Sequence, residues 1–477
     1  MTILSQMTAS QQAEFLAAMN AAGIVDPVAR SAAADAKANP TLTQAAVTAA
    51  GDKTARDAAA DAKANPTLTS AAIVAVGGDT TARASAADAK VNPVLTAASI
   101  APSLSSAGLP VTYATPANTL RVRAAMARSD RDINVVVIGP STVAGQQNVS
   151  PSTQGSAGLV PQIAARLNGM GINAGAENYY GDHGSWGTAQ TFDNYKAGDS
   201  RITSTGTVGL TSVQTAGGNA IQLAAAGDSI TYTPLTPVRK WRVRIYNDRA
   251  GRNLTASSGT GNIPVNSANP NSIQTAIIDS GSTGLNALTL TQASSATSAS
   301  IILGVDAFDD TAGRRQISVH NLGISGARSA RFSDNSNTLG GQIAMTKAIA
   351  PDYMYLADFP INDWRGSISV AVYQANLQAA IDAYLPICDL CIVLPLYDGD
   401  TGGLSSTQES FVTATRQVAM ANGLPILDMR SRLVSFAKAQ GIGFYETNGT
   451  VHPSPFGYGF LSSVYAEDIR KLYRGGI

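Results

Sequence analysis

Ile133-Asn134-Val135-Val136-Val137-Ile138-Gly139-Pro140-Ser141-Thr142-Val143-Ala144-Gly145 is the stretch that decides the fold. Its first six residues are an apolar, β-branched run of the kind that forms a parallel strand buried on both faces. Beyond the turn, Leu159, Val160, Ile163, Ala164 and Leu167 recur with helical spacing, predicting a helix from about Ser156 to Leu167. Strand, turn, helix places Ser141 at the carboxyl end of a strand in an open α/β sheet, where such sheets hold their ligands. A serine held there by flanking glycines is a candidate nucleophile. The competing reading is an anion-binding loop or a plain tight turn.

Three later segments end in the same way. Val319-His320-Asn321-Leu322-Gly323-Ile324-Ser325-Gly326-Ala327-Arg328 runs from strand into turn, and Gly326 would let a backbone N–H approach a substrate oxygen closely. Tyr353-Met354-Tyr355-Leu356 leads into Ala357-Asp358-Phe359-Pro360-Ile361-Asn362-Asp363-Trp364. The Asn362 amide could donate to an oxygen that becomes negative in a transition state. Val451-His452-Pro453-Ser454-Pro455-Phe456-Gly457 precedes a helical segment from roughly Phe460 to Leu472. The chain has three histidines, and His452, in a turn outside any apolar run, is the candidate general base.

A Gly-x-Ser-x-x-x-Gly turn, then Asn-x-Gly-x-Ser-Gly, then Asn-Asp, then a C-terminal His-Pro, in that order, resembles the SGNH (GDSL-type) hydrolases. The α/β-hydrolase elbow would need Gly-x-Ser-x-Gly and is not present at Ser141. The resemblance covers roughly residues 115–195 and 315–477. It implies a three-layer α/β/α domain with a parallel sheet, and carboxylic ester hydrolysis with Ser141 as nucleophile and His452 as base. It implies an oxyanion hole made of the Ser141 N–H, the Gly326 N–H and the Asn362 amide. Asp363 would help position its loop, without proton transfer. The chain departs from the family pattern at Pro140, where Asp is usual, and at Pro360, where Gly is usual. The family's acid normally lies three residues before the His, and that position is Gly449; Glu446 and Asn448 are the nearby candidates.

Bulk properties set the remaining bounds. The 477 residues carry 33 basic and 33 acidic side chains, so no global field favours nucleic acid or a membrane surface. No run of 18 apolar residues exists, and Met1 to Asn20 lacks the basic and apolar regions of a secretory signal. Cys388 and Cys391 flank a strand start and read as two buried thiols; no metal, cofactor or disulfide framework is expected.

Residues 29–100 carry an internal repeat. Ala29 to Thr43 returns almost verbatim from Ala55 to Thr69 and, with variations, from Ala82 to Thr96, each copy broken by Asn-Pro at Pro40, Pro66 or Pro93. Each unit reads as an Ala-rich helix, a break, and a second short helix, too poor in apolar surface to bury a core alone. From 196 to 314 the composition shifts to Thr, Ser, Gly and Asn, with strand-like runs at Ser229–Thr233, Val238–Tyr246, Ile273–Ile278, Ala287–Thr291 and Ser300–Val305. That spacing predicts an inserted antiparallel β-sandwich. In Val238–Tyr246, Trp241, Val243 and Ile245 face a core, while Lys240, Arg242, Arg244 and Tyr246 are expected on a solvent face, open to a sugar or acidic polysaccharide. His183 and Trp186, just before the insertion, are candidates for a substrate cleft.

The expected organisation is therefore an Ala-rich attachment region (1–110), a hydrolase domain in two parts (111–195 and 315–477), and an inserted sandwich (196–314). That layout resembles bacteriophage tail spikes and fibres. The resemblance implies a homotrimeric virion protein, docked on other tail proteins through its N-terminal region and deacetylating bacterial surface polysaccharide, without nucleic-acid binding or membrane insertion. The alternatives are a non-catalytic receptor-binding or structural virion protein on the same scaffold, and a cellular carbohydrate acetylesterase.

Overall fold

The computed structural model describes residues 119–128, 131–145, 157–183, 191–247, 253–257, 262–266, 272–294, 296–311, 315–334, 341–399, 405–445 and 451–473. The Ala-rich repeat lies outside the described residues, as do Trp186, Glu446 and Asn448.

In chain order the strands are β1 (Ile133–Gly139), β2 (Ala174–Gly175), β3 (Asn178–Tyr179), β4 (Ile202–Thr205), β5 (Val208–Thr215), β6 (Gly218–Leu223), β7 (Ser229–Tyr232), β8 (Val238–Asn247) and β9 (Asn253–Ser257). They continue with β10 (Asn262–Asn266), β11 (Ser272–Gly284), β12 (Leu288–Gln292), β13 (Ser300–Phe308), β14 (Ile317–Gly323), β15 (Tyr353–Ala357), β16 (Asp389–Val393) and β17 (Ile426–Leu427).

Six of them form a parallel sheet in the order β17-β16-β15-β1-β14-β2. Every residue of β1, β14, β15 and β16 is buried, as the near-continuous apolar runs require. Val135 and Val137 of β1 point into one core, beneath the helices Leu159–Gly169 and Pro455–Tyr473. Val136 and Ile138 point into the other, beneath Gln342–Ile349, Val370–Tyr384 and Ser405–Ala421. The result is an α/β/α layering. Helix Val370–Tyr384 starts where the Ser369 hydroxyl accepts the Val372 N–H at 3.3 Å, an N-cap. Cys388 and Cys391 are free and buried, and burial pushes both thiols up. Within the sheet the chain runs from β1 to the edge at β2, back through β14, and then crosses to β15 and on to β16 and β17 on the other side, so β1 lies at a topological switch point.

The inserted segment builds two antiparallel sheets, β10-β9-β12-β7-β4 and β11-β8-β13-β6-β5, around a common core that includes Trp241, Val243, Ile245, Leu254, Leu290 and Val305. The strand runs expected from Ser229 to Val305 all fall on observed strands.

One expectation is overturned. The second face of β8 is not a solvent face. Arg244 is 1% exposed and, with Arg242, pairs with the buried Asp306 of β13. Its Nε and Nη2 also donate to Ala348 O at 3.3 and 3.2 Å. Tyr246 packs, partly buried, on the second core of the parallel sheet. Period-two alternation had separated the two faces correctly, but the far face is covered by the α/β domain. The guanidinium of Arg244 is affordable there because a carboxylate and a carbonyl receive it. β13 is buried on both sides for the same reason: Ile301 and Leu303 enter the core of the parallel sheet, while Ile302 and Val305 enter the sandwich core.

A chain of buried polar groups crosses this junction. The Tyr180 hydroxyl donates to Asp306 Oδ1 at 3.1 Å and lies 3.1 Å from His320 Nδ1. His320 Nε2 meets Asn134 Oδ1 at 3.2 Å, and Asn134 Nδ2 donates to Ile349 O at 3.0 Å. Burial holds His320 down at about 3, so the ring is neutral and this histidine is structural.

Candidate active site

Three strand ends converge above β1. Gly139 closes β1 with no room for a side chain: a Cβ there would sit 2.3 Å from Ala357 O of β15. A Cβ on Gly323, at the end of β14, would sit 2.1 Å from the Ala144 N. The two glycines let β15 press on the end of β1 and the short helix Ser141–Ala144 press on the end of β14. That helix begins directly after Pro140, so the Ser141 N–H is one of its unsatisfied first-turn donors.

His452 arrives from the loop before helix Pro455–Tyr473. The Ser454 hydroxyl caps this helix by accepting the Gly457 N–H at 3.1 Å and donates to Gly443 O at 2.6 Å. An isolated bridge pairs Pro453 with Tyr445. So anchored, His452 places Nε2 2.9 Å from Ser141 Oγ, across 311 positions of sequence. Ser141 is buried and His452 half-buried. Burial lowers the His452 imidazole to about 4, with nearby Arg365 pushing the same way and Asp398 opposing. At neutral pH the ring is therefore an uncharged acceptor for the Ser141 hydroxyl proton.

The loop after β14 carries Gly326 at φ +72°, a left-handed position suited to glycine. Among the described residues no acceptor takes the Gly326 N–H. Asn362 and Asp363 lie on the short helix Ile361–Arg365 after β15 and hold this loop. Asn362 Nδ2 donates to Ala327 O at 2.8 Å, which leaves the second amide hydrogen for a ligand. Both Asp363 carboxylate oxygens accept the Ser329 N–H at 3.3 Å.

Of the expected site residues, Ser141 and His452 are in contact, while Gly326, Asn362 and Asp363 belong to the loop and helix that follow β14 and β15, the strands flanking β1. His183 is elsewhere in role: it is buried, at φ +48°, with Nδ1 2.8 Å from Gly323 O, and borders a small cavity with Asn178, Asn321 and Arg201.

Two carboxylates at the strand tips escaped the sequence reading. Asp358, at φ +54°, accepts the Thr142 hydroxyl hydrogen at 2.6 Å and the Leu396 N–H at 2.8 Å, tying the Ser141–Ala144 helix to the loops after β15 and β16. Burial raises it to about 6, against the pull of those hydrogen bonds. Asp398 is held by Arg365 through Nε at 2.6 Å and Nη2 at 2.7 Å, and by Trp364 Nε1 at 2.9 Å. Its place in Leu394-Pro395-Leu396-Tyr397-Asp398-Gly399, a strand-to-turn segment like the others, was the available signal. Among the described residues no His, Cys, Asp and Glu group could hold a metal ion, and no helix is long and apolar enough to cross a membrane.

Residues 304–460 match the GDSL-like Lipase/Acylhydrolase family. A solved peptidoglycan O-acetylesterase shares the fold, with TM-score 0.56 and 16% identity, covering 76% of this chain and 99% of that one. An acetylxylan esterase from Geobacillus stearothermophilus (TM-score 0.26, 20% identity, 33% of this chain and 75% of that one) is also similar. So is a family two carbohydrate esterase from Cellvibrio japonicus (TM-score 0.25, 10% identity, 57% and 96%). No curated protein matches the chain. The matched segment is an SGNH/GDSL-type esterase domain, the antiparallel sheets are inserted in the chain ahead of it, between β1 and β14, and the chain is a carboxylic ester hydrolase.

Proposed function

We propose that the chain is a carbohydrate O-acetylesterase that removes acetyl groups from a bacterial envelope polysaccharide by acyl transfer through Ser141. The observation that carries the reading is the 2.9 Å contact between His452 Nε2 and Ser141 Oγ at the switch point of the sheet. His452 accepts the hydroxyl proton as Ser141 Oγ attacks the ester carbonyl. The Ser141 N–H, the Gly326 N–H and the free hydrogen of the Asn362 amide receive the oxyanion. As the intermediate collapses and the bond from the acyl carbon to the sugar oxygen breaks, the His452 imidazolium protonates that oxygen and the sugar leaves as an alcohol. Water, deprotonated by His452, releases acetate from the acyl-serine.

Within this reading Asp358 fixes the nucleophile helix through Thr142, and Asp363 fixes the loop that carries Gly326. Asp398 supplies the nearby negative charge that opposes the lowering of His452, although Arg365 already pairs with it. Glu446 and Asn448 remain the candidates for orienting His452. The polysaccharide class is supported by the fold shared with the peptidoglycan O-acetylesterase. Of the alternatives, a carbohydrate acetylesterase without a virion role has the better support. The tail-spike reading, with its virion partners and trimer, rests on residues outside those described, and no comparison supports it.

The test is acetate release from O-acetylated peptidoglycan and from an acetylated polysaccharide, by wild type and Ser141→Ala. Release that the substitution abolishes supports the proposal. A folded wild-type protein that releases no acetate from either polymer overturns the substrate class.

A further inference from the structure

We infer that His183 is a positioning residue, through which the inserted sheets brace the loop that presents the Gly326 N–H to the developing oxyanion. The inference rests on the esterase reading for its catalytic consequence, and on geometry alone for the brace.

The Gly323–Ser329 loop is held from two sides. On one side Asn362 and Asp363 take Ala327 O and the Ser329 N–H. On the other, His183 grips the loop twice. Its ring Nδ1 lies 2.8 Å from Gly323 O, and its own carbonyl accepts the Ser325 N–H at 3.2 Å. A carbonyl only accepts, so Nδ1 carries a proton and donates, and burial, which lowers the imidazole, favours the neutral ring. Both contacts fall within three residues of Gly326.

His183 is in turn held by the insertion. Its N–H donates to Gly217 O at 2.7 Å, in the turn between β5 and β6. The neighbouring Asp182 carboxylate accepts the Asn219 N–H at 2.8 Å and the Asn219 Nδ2 at 3.1 Å. The fit leaves no slack: a Cβ on Gly217 would sit 1.5 Å from Tyr180 O, and one on Gly181 would sit 2.7 Å from Thr215 Cγ2. A second tie runs beside it, because Arg331, just after the loop, donates through Nη2 to Thr215 O at 3.1 Å. His183 keeps a left-handed backbone without being glycine, a conformation retained where the surroundings over-determine it. The hairpin of the insertion therefore sets the place of His183, and His183 sets the place of Gly323 and Ser325.

The experiment combines hydrogen exchange of the peptide spanning 319–328 with steady-state kinetics on a small acetate ester. It uses wild type, His183→Ala, His183→Asn and Asn219→Ala. His183→Ala is expected to speed exchange in that peptide and to lower kcat, each by roughly 10-fold, about one hydrogen bond's worth, with KM changed by less than about twofold. His183→Asn, which tolerates the left-handed backbone and carries an amide donor, is expected to recover part of both. Asn219→Ala, remote from the chemistry, is expected to move both in the same direction by less. If His183→Ala does not fold, the Asn variants at 183 and the Ala variant at 219 decide the question.

Unchanged exchange in 319–328 in folded variants overturns the brace. So does a fall in kcat that is matched by an equal fall in the fraction of sites titrated by a serine-reactive phosphonate. Wild type with no ester hydrolysis would sink the esterase reading, while the exchange arm would still decide the brace.

Discussion

The parallel sheet and the inserted antiparallel sheets are both made of short β-branched strands, yet they organise charge in opposite ways. At the parallel sheet, polar groups gather at the carboxyl ends of the strands, where His452 meets Ser141 after β1 and Asn362, after β15, holds the loop after β14. In the insertion, polar groups lie along strand faces: Arg242 and Arg244 of β8 face Asp306 of β13, and the pairs are closed off by the neighbouring domain. The first arrangement leaves donors and acceptors available to a substrate. The second uses them in pairs between neighbouring strands, with Arg244 also reaching Ala348 O of the helix layer. Ends can do chemistry; covered faces give specificity of packing.

The sharpest way to break this contrast is at the strand ends. His452→Ala is expected to lower kcat by roughly 10⁴–10⁶, because members of a nucleophile–base unit fail together. Asn362→Ala is expected to cost a further graded step on its own, about 10²–10³ in kcat with little change in KM. Steady-state hydrolysis of a small ester reads both. Equal, modest losses would mean that these ends do not share one transition state.

The next effect belongs to the covered face. Arg244→Ala removes one partner of a pair whose side chains are 1% and 2% exposed, and is expected to lower unfolding free energy by about 3–5 kcal/mol. Lys240→Ala, on the same face but at its open end, is expected to cost less than about 1 kcal/mol. Urea denaturation of the two variants measures the difference. Similar small values would return β8 to the solvent face that alternation alone suggested.

A smaller effect tests whether a strand-end carboxylate is kept for function at the expense of stability. Asp358 titrates near 6 in the fold, above its ordinary carboxylate value, so its folded state favours the protonated form. The resulting penalty is absent below about pH 4, grows as pH rises toward 6 and is complete at pH 7. Asp358→Asn is therefore expected to stabilise the protein by at most about 2–3 kcal/mol at pH 7 and by nothing near pH 4. It is expected to reduce activity, since Thr142 loses its ionised acceptor. Paired thermal melts at the two pH values check the sign. The smallest effect is at His452. Because its imidazole is lowered to about 4, kcat/KM is expected to stay level from pH 6 to 8 and to fall only as pH approaches 4. An acid limb near 6.5 would mean that a carboxylate restores the ring's usual basicity.

The two regions also differed in how much of them could be read beforehand. The parallel strand β1 declared itself, because a strand buried on both faces is largely apolar, as Val135, Val136 and Val137 are. The contact between Ser141 and His452 could be anticipated from two turns, the one after Gly139 and the His-Pro step at 452 and 453. Asp358 and Asp398 were not legible, since a carboxylate after a strand looks like a solvated turn until its partners fold against it. Arg244 misled for a related reason. Alternation assigns a side chain to a face, but the cover on that face, Asp306 and Ala348, comes from 62 and 104 positions away. His183 carried no pattern at all, because its partners are backbone atoms of Gly217, Gly323 and Ser325.

The account stands or falls on whether Ser141 is a nucleophile driven by His452. A fluorophosphonate probe tests this directly, with peptide mass spectrometry to locate the adduct. One adduct per chain on Ser141, lost or strongly slowed in folded His452→Ala, is the expected result. A folded wild-type protein that takes no adduct, or takes it on another residue, would contradict the account.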